Sequence, residues 1–101
     1  MYYTVEHAKK QVATMEALQR LEDNEDFKKV ILDGYCKAQA DVIVTLLAHS
    51  ATKTQYEERC DKLLSISNFR DFLALIKLEG NQAKEALENP EVYSEMENQN
   101  E

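Results

Sequence analysis

The stretch NEDFKKVILDGY, Asn24 to Tyr35, decides how the chain divides into helices. Asn24 is a good N-cap, because its short side chain accepts from the free backbone N–H groups of the following turn. Glu25 and Asp26 fall in the first turn, where the helix dipole favours negative charge. Phe27, Val30 and Ile31 follow at i, i+3 and i+4 and share one face. Gly34 then reads as a stop, since glycine adopts the left-handed conformation past a helix end without a Cβ penalty. The stretch therefore predicts a short docked helix that ends at Gly34. The competing reading is one continuous helix with Gly34 inside it, at a cost of roughly 1 kcal/mol relative to alanine.

On the N-terminal side, Thr4 can cap a first helix over Val5 to Glu22. Its apolar residues Val5, Ala8, Val12, Met15, Leu18 and Leu21 recur every three or four positions. On the C-terminal side, Lys37 to His49 reads as a third helix. Val42, Ile43, Leu46 and Leu47 mark one face, and Ala40, Val44 and Ala48 fill the others. A helix apolar nearly all round is expected to be buried, so this one is predicted to be the central element. Thr54-Gln55-Tyr56-Glu57 has the form of a capping box. It would open a long helix from Gln55 to about Glu88, on the order of 50 Å at 1.5 Å per residue. Ile66, Phe69, Leu73, Ile76, Gly80, Ala83 and Leu87 alternate steps of three and four along it, a heptad-like seam. Leu63 and Phe72 widen that seam at its two sides. Gly80 either admits a close neighbour or marks a bend.

The expected fold is therefore all-α, a small bundle of about four helices with a long C-terminal helix. Residues 1–89 are expected to form a single helical domain. Residues 90–101, after Pro90, lack periodicity and read as a disordered acidic tail. Composition agrees with the helical reading: the 101 residues include 2 Gly and 1 Pro, and 31% are charged.

The net charge of −7 is unevenly placed. Residues 85–101 hold Glu85, Glu88, Glu91, Glu95, Glu97 and Glu101 and no Lys or Arg. Residues 1–84 then carry 13 acidic and 12 basic groups, a balance of −1. The acidity belongs mainly to the tail, which disfavours a DNA mimic with charge spread over a folded surface. Direct nucleic-acid binding is not expected either, because it needs a net basic face. No signal peptide or 18-residue apolar run stands out, so neither secretion nor a membrane partner is expected. Cys36 and Cys60 read as free, reduced thiols.

Few residues suggest chemistry. His7, Cys36, His49 and Cys60 are the zinc candidates, but they lack the close ligand pairs usual in structural sites. Glu22, Asp23, Glu25 and Asp26 lack the glycine and the distal glutamate of a calcium loop. Cys36 has no sequence-near base. Glu57 and Asp61 are paired carboxylates at i, i+4 on a solvated face. There is no nucleophile elbow and no phosphate-cradling glycine loop. No catalytic residue, cofactor or metal site is assigned, and the chain is not expected to be an enzyme. A second apolar set does stand out on the long helix. At 100° per residue, Leu64, Leu75 and Leu78 project away from the seam, with Cys60 on the same side and Asn68 and Asp71 between them. They are the candidate partner-binding residues, for a protein partner or for self-association into a homo-oligomer.

The stretches NEDFKKVILDGYCKAQADVIVTLLA and ISNFRDFLALIKLEGNQAKEALE resemble a group of small acidic all-helical proteins encoded by tailed bacteriophages. The shared pattern is a leucine-bearing first helix, N-x-D-F-K-x-V-I-L-x-G-Y, a helix ending in LLA and an aromatic long helix, over residues 5–88. The chain departs from it at Glu25, where the pattern has proline, and at Cys36, where it has a larger apolar residue. The resemblance implies a phage setting, in the host cytoplasm or the virion, and a role in virion structure or assembly. It brings no catalytic residues. The resulting expectation is a non-enzymatic protein–protein interaction module. Its rivals are an inhibitor of a host enzyme acting through the acidic tail, and a thiol- or metal-dependent enzyme.

Overall fold

A computed structural model of the chain describes residues 4–89. The elements are α1 (Val5–Glu22), α2 (Glu25–Phe27), a π-helical segment (Lys28–Gln39), α3 (Ala40–Leu47) and α4 (Lys53–Glu88). The described residues are all-α. The acidic tail at 90–101 lies outside them.

The count of about four helices is corrected to three helical runs, because α2, the π-helical segment and α3 follow one another without a break. The expected stop at Gly34 does not occur. A glycine stop needs positive φ, and no described residue has it. The chain continues helically because packing lies beyond Gly34: Cys36 is buried, and Tyr35 sets its ring edge-on against Phe69 at 5.7 Å. The start of the run is as expected. Asn24 Oδ1 accepts from the Phe27 N–H at 3.0 Å.

α1 is capped by Thr4, whose Oγ1 accepts from the His7 N–H at 3.1 Å. The start of α4 corrects the sequence reading by two residues. The cap is Thr52, whose Oγ1 accepts from the Gln55 N–H at 3.1 Å. Gln55 Oε1 reaches back to accept from the Ala51 N–H at 2.9 Å. Glutamine thus takes the role that Glu57 was expected to play. Two sets of Ser/Thr and Glu/Gln overlap in this sequence, and the earlier one forms the cap.

By contact density the chain divides into two units, Met1–Arg20 with Ala74–Glu101, and Leu21–Leu73. In the first unit, α1 packs on the C-terminal part of α4. Ala8 and Ala83 are buried at its centre, with Val5, Val12 and Leu87 around them. The residues that meet are small, so the two backbones approach closely. Gly80 marks the closest approach. A Cβ built on it would clash with Met15 Cβ and stand 2.7 Å from Met15 Sδ. Gly80 therefore admits a neighbour. Gln11 Nε2 donates to Glu79 Oε2 at 3.2 Å across the same pair of helices.

In the second unit, the π-helical segment and α3 face the N-terminal part of α4. Ile43 and Ile66 are buried here, and Arg59 ties the two helices at one end. Its guanidinium donates to the Leu46 carbonyl at 2.6 Å and to Ser50 Oγ at 2.9 Å. A cation there also suits the negative end of α3. α3 was expected to be buried all round, and this too is corrected. Only Ile43 is buried, whereas Val42, Val44 and Leu46 are exposed. One face of α3 is turned toward the core of its unit, with Ala40 and Leu47 half-buried beside Ile43, and Val42, Val44 and Leu46 are left uncovered among the described residues.

Candidate partner-binding surfaces

The seam predicted on α4 turns inward. Ile66, Gly80 and Ala83 are buried, and Phe69, Leu73, Ile76 and Leu87 are half-buried. The faces beyond it stay open. In the second unit Leu64 is 58% exposed. In the first unit Leu75 and Leu78, three residues apart, are 48% and 55% exposed. Phe72 was expected to widen the seam and is instead exposed. Scattered apolar side chains are ordinary on protein surfaces. Here eleven large apolar residues are exposed among the described residues, against four large ones buried: Met15, Leu18, Ile43 and Ile66. A leucine half in water forgoes about half of the roughly 1.5–3 kcal/mol that its full burial contributes.

The polar candidates are dispersed. Cys36 is buried and Cys60 half-buried, and both are free thiols. Glu57 and Asp61 are exposed, with Glu57 pairing to Lys53 at 3.8 Å. Glu25 pairs with Lys28 at 3.4 Å, within the acidic turn considered for calcium. Among the described residues, no group of three or more His, Cys, Asp or Glu is placed to hold a metal ion. No helix among them is long and apolar enough to cross a membrane.

Two cavities were not foreseen from the sequence. One, in the first unit, is about 250 Å³ and is lined by His7, Lys10, Gln11, Thr14, Ile76 and Glu79. The other, in the second unit, is about 260 Å³ and is lined by Tyr35, Gln39, Ile43, Lys62, Ser65 and Ile66. The second had a readable signal. Tyr35, Gln39 and Ile43 recur every four residues on one helical run, and Lys62, Ser65 and Ile66 share a face of the other. The pattern shows only on a run that continues through Gly34, with Ile43 on the one buried face of α3.

Comparison of the chain with protein-family models, curated proteins and solved structures finds no match.

Proposed function

We propose that this chain is a non-enzymatic protein–protein interaction module that acts in phage virion structure or assembly. The observation that carries the interaction reading is the exposure of Leu64, Leu75 and Leu78 on a helix whose seam already packs its own units. Apolar side chains left exposed together on a folded surface mark sites of protein–protein contact. The phage setting rests on the sequence resemblance alone.

The test is Leu75→Glu/Leu78→Glu beside the parent chain, with circular dichroism to establish that both are helical. The parent is expected to co-purify with phage particles, and the folded variant is expected to lose that capture. Unchanged capture by a folded variant would remove the leucines from the interface. The tail supports a second reading, because six glutamates within residues 85–101 stand without a single cation. A specific host enzyme retained by the full chain and lost when residues 89–101 are deleted would favour the inhibitor.

A further inference from the structure

The cavity of the second unit has a defined chemistry. Its floor is Ile43 and Ile66, 3% and 2% exposed. One wall is Tyr35, whose ring is held edge-on against Phe69. The rim carries Gln39, Lys62 and Ser65. The Ser65 hydroxyl already donates to the Asp61 carbonyl at 3.1 Å. That leaves the Lys62 ammonium, the Gln39 amide and the Tyr35 phenol as donors, and no carboxylate lines the cavity. A site with an apolar floor, one cation and neutral donors complements an apolar side chain flanked by carboxylates. Its volume of about 260 Å³ falls below the roughly 300–1,000 Å³ of most small-molecule sites. It suits a single anchoring side chain better than a cofactor.

The chain itself contains a segment of this chemistry. Residues 90–101, PEVYSEMENQNE, hold four glutamates and no Lys or Arg, and Met96 stands between Glu95 and Glu97. Methionine is unbranched and fills irregular apolar gaps well. We propose that the Tyr35–Lys62 cavity receives residues 90–101 of a second copy of this chain, with Met96 over Ile43 and Ile66 and a flanking carboxylate at Lys62. Donor segment and acceptor cavity are different surfaces and each copy carries one of each, so copies join either by reciprocal exchange in a closed pair or head to tail. This docking uses none of Leu64, Leu75 and Leu78, and it stands or falls separately from the leucine surface.

The test is complementary mixing of full-length variants, followed by sedimentation velocity. Lys62→Glu spoils the cavity and leaves the tail intact. Glu95→Lys/Glu97→Lys spoils the tail and leaves the cavity intact. Both changes are at positions that carry no core packing in the described residues or lie beyond them. The parent is expected to self-associate in a concentration- and salt-dependent manner. Each variant alone is expected to associate roughly tenfold more weakly. An equimolar mixture of the two should associate more strongly than either variant alone, since an intact tail meets an intact cavity and the reversed tail meets the reversed charge at residue 62. Adding Leu75→Glu/Leu78→Glu to both partners should leave that association in place. A parent that stays monomeric overturns the proposal. So does association that survives both charge reversals, or a mixture that behaves as its separate components.

Discussion

The two halves of α4 pair with their neighbours by opposite means. In the first unit, alanines and a glycine let α1 and α4 approach until Met15 fills the space above Gly80. In the second, large side chains hold the helices: Tyr35 against Phe69, Ile43 and Ile66 buried between them, and Arg59 on the α3 terminus. Each pairing contains one glycine, and the two glycines are tight for different reasons. A Cβ on Gly80 would strike a side chain of another helix. A Cβ on Gly34 would stand 3.1 Å from the Lys29 carbonyl oxygen of its own helical run. Glycine inside a helix costs stability in both places. In return, the first permits tertiary contact, and the second permits a local helix geometry.

The largest effect is expected at Gly80→Ala. The new methyl forces α1 and α4 apart, because Met15 Cβ belongs to the backbone frame and has no rotamer by which to withdraw. Overpacking of this kind typically costs about 1–3 kcal/mol, partly offset by the roughly 1 kcal/mol that alanine gains in a helix. A lowered urea midpoint is expected. In a Met15→Ala background the penalty should shrink but persist, since Met15 Sδ and Cγ are removed and Cβ remains. A Gly80→Ala protein as stable as the parent would mean that the close pairing of α1 and α4 is not a fixed feature of the first unit.

Arg59→Ala probes the second pairing. It removes two charge-assisted hydrogen bonds and leaves the Leu46 carbonyl with the His49 N–H at 3.0 Å and the Ser50 hydroxyl at 3.3 Å. Because Leu46 O keeps those partners and Arg59 is only half-buried, the loss is expected to be about 1 kcal/mol. Faster amide exchange at the end of α3 should accompany it. Arg59→Lys should recover only part, because both bonds are donated by Nη1 at the far end of the guanidinium, which the shorter lysine side chain does not reach in the same position. Full recovery would show that charge at the helix terminus, rather than the guanidinium's reach, ties α3 to α4.

The sequence discloses the two pairings unequally. The α1 pattern from Val5 to Leu18 and the α4 seam were legible because helical periodicity records which face is covered, whereas Leu21, the last residue of the α1 pattern, is exposed. Thr4 and Asn24 were legible because capping is local. Three features were not. Gly34 resembles a stop in isolation, and only the packing of Tyr35 and Cys36 beyond it carries the helix through. α3 is apolar on several faces, and periodicity cannot say whether a second layer exists to cover them. Val42, Val44 and Leu46 show that within the described residues it does not. The cap of α4 falls two residues before the expected one, because Thr52–Gln55 and Thr54–Glu57 both satisfy the motif. Thr52→Ala should therefore cost about 1 kcal/mol in a urea titration and Thr54→Ala only a few tenths. The reverse order would restore the later cap. Of the candidate surfaces, the position of Leu64, Leu75 and Leu78 outside the seam was legible, and each is exposed in its own unit. The cavity was not, because its two walls meet only once the run from Glu25 to Leu47 is continuous.

The smallest effect is expected at Gly34→Ala, where two terms nearly cancel. Alanine improves helix propensity by roughly 1 kcal/mol. Against this, its methyl presses on the Lys29 carbonyl, five residues back, which is the acceptor position of a π-helix. Relief needs a shift of a few tenths of an ångström in the chain's own backbone, and it is easiest if the turn tightens toward the i−4 ladder of an α-helix. Stability should therefore change by less than about 1 kcal/mol while the hydrogen-bond register changes. Scalar coupling across the hydrogen bond from the residue 34 amide reports the register directly. In the parent the coupled carbonyl should be that of Lys29, and in the variant that of Val30. A loss as large as that of Gly80→Ala, with the Lys29 coupling retained, would mean that tertiary packing locks the π geometry. Gly34 and Gly80 would then serve the same end, and the contrast between the two pairings would lie in their side chains alone.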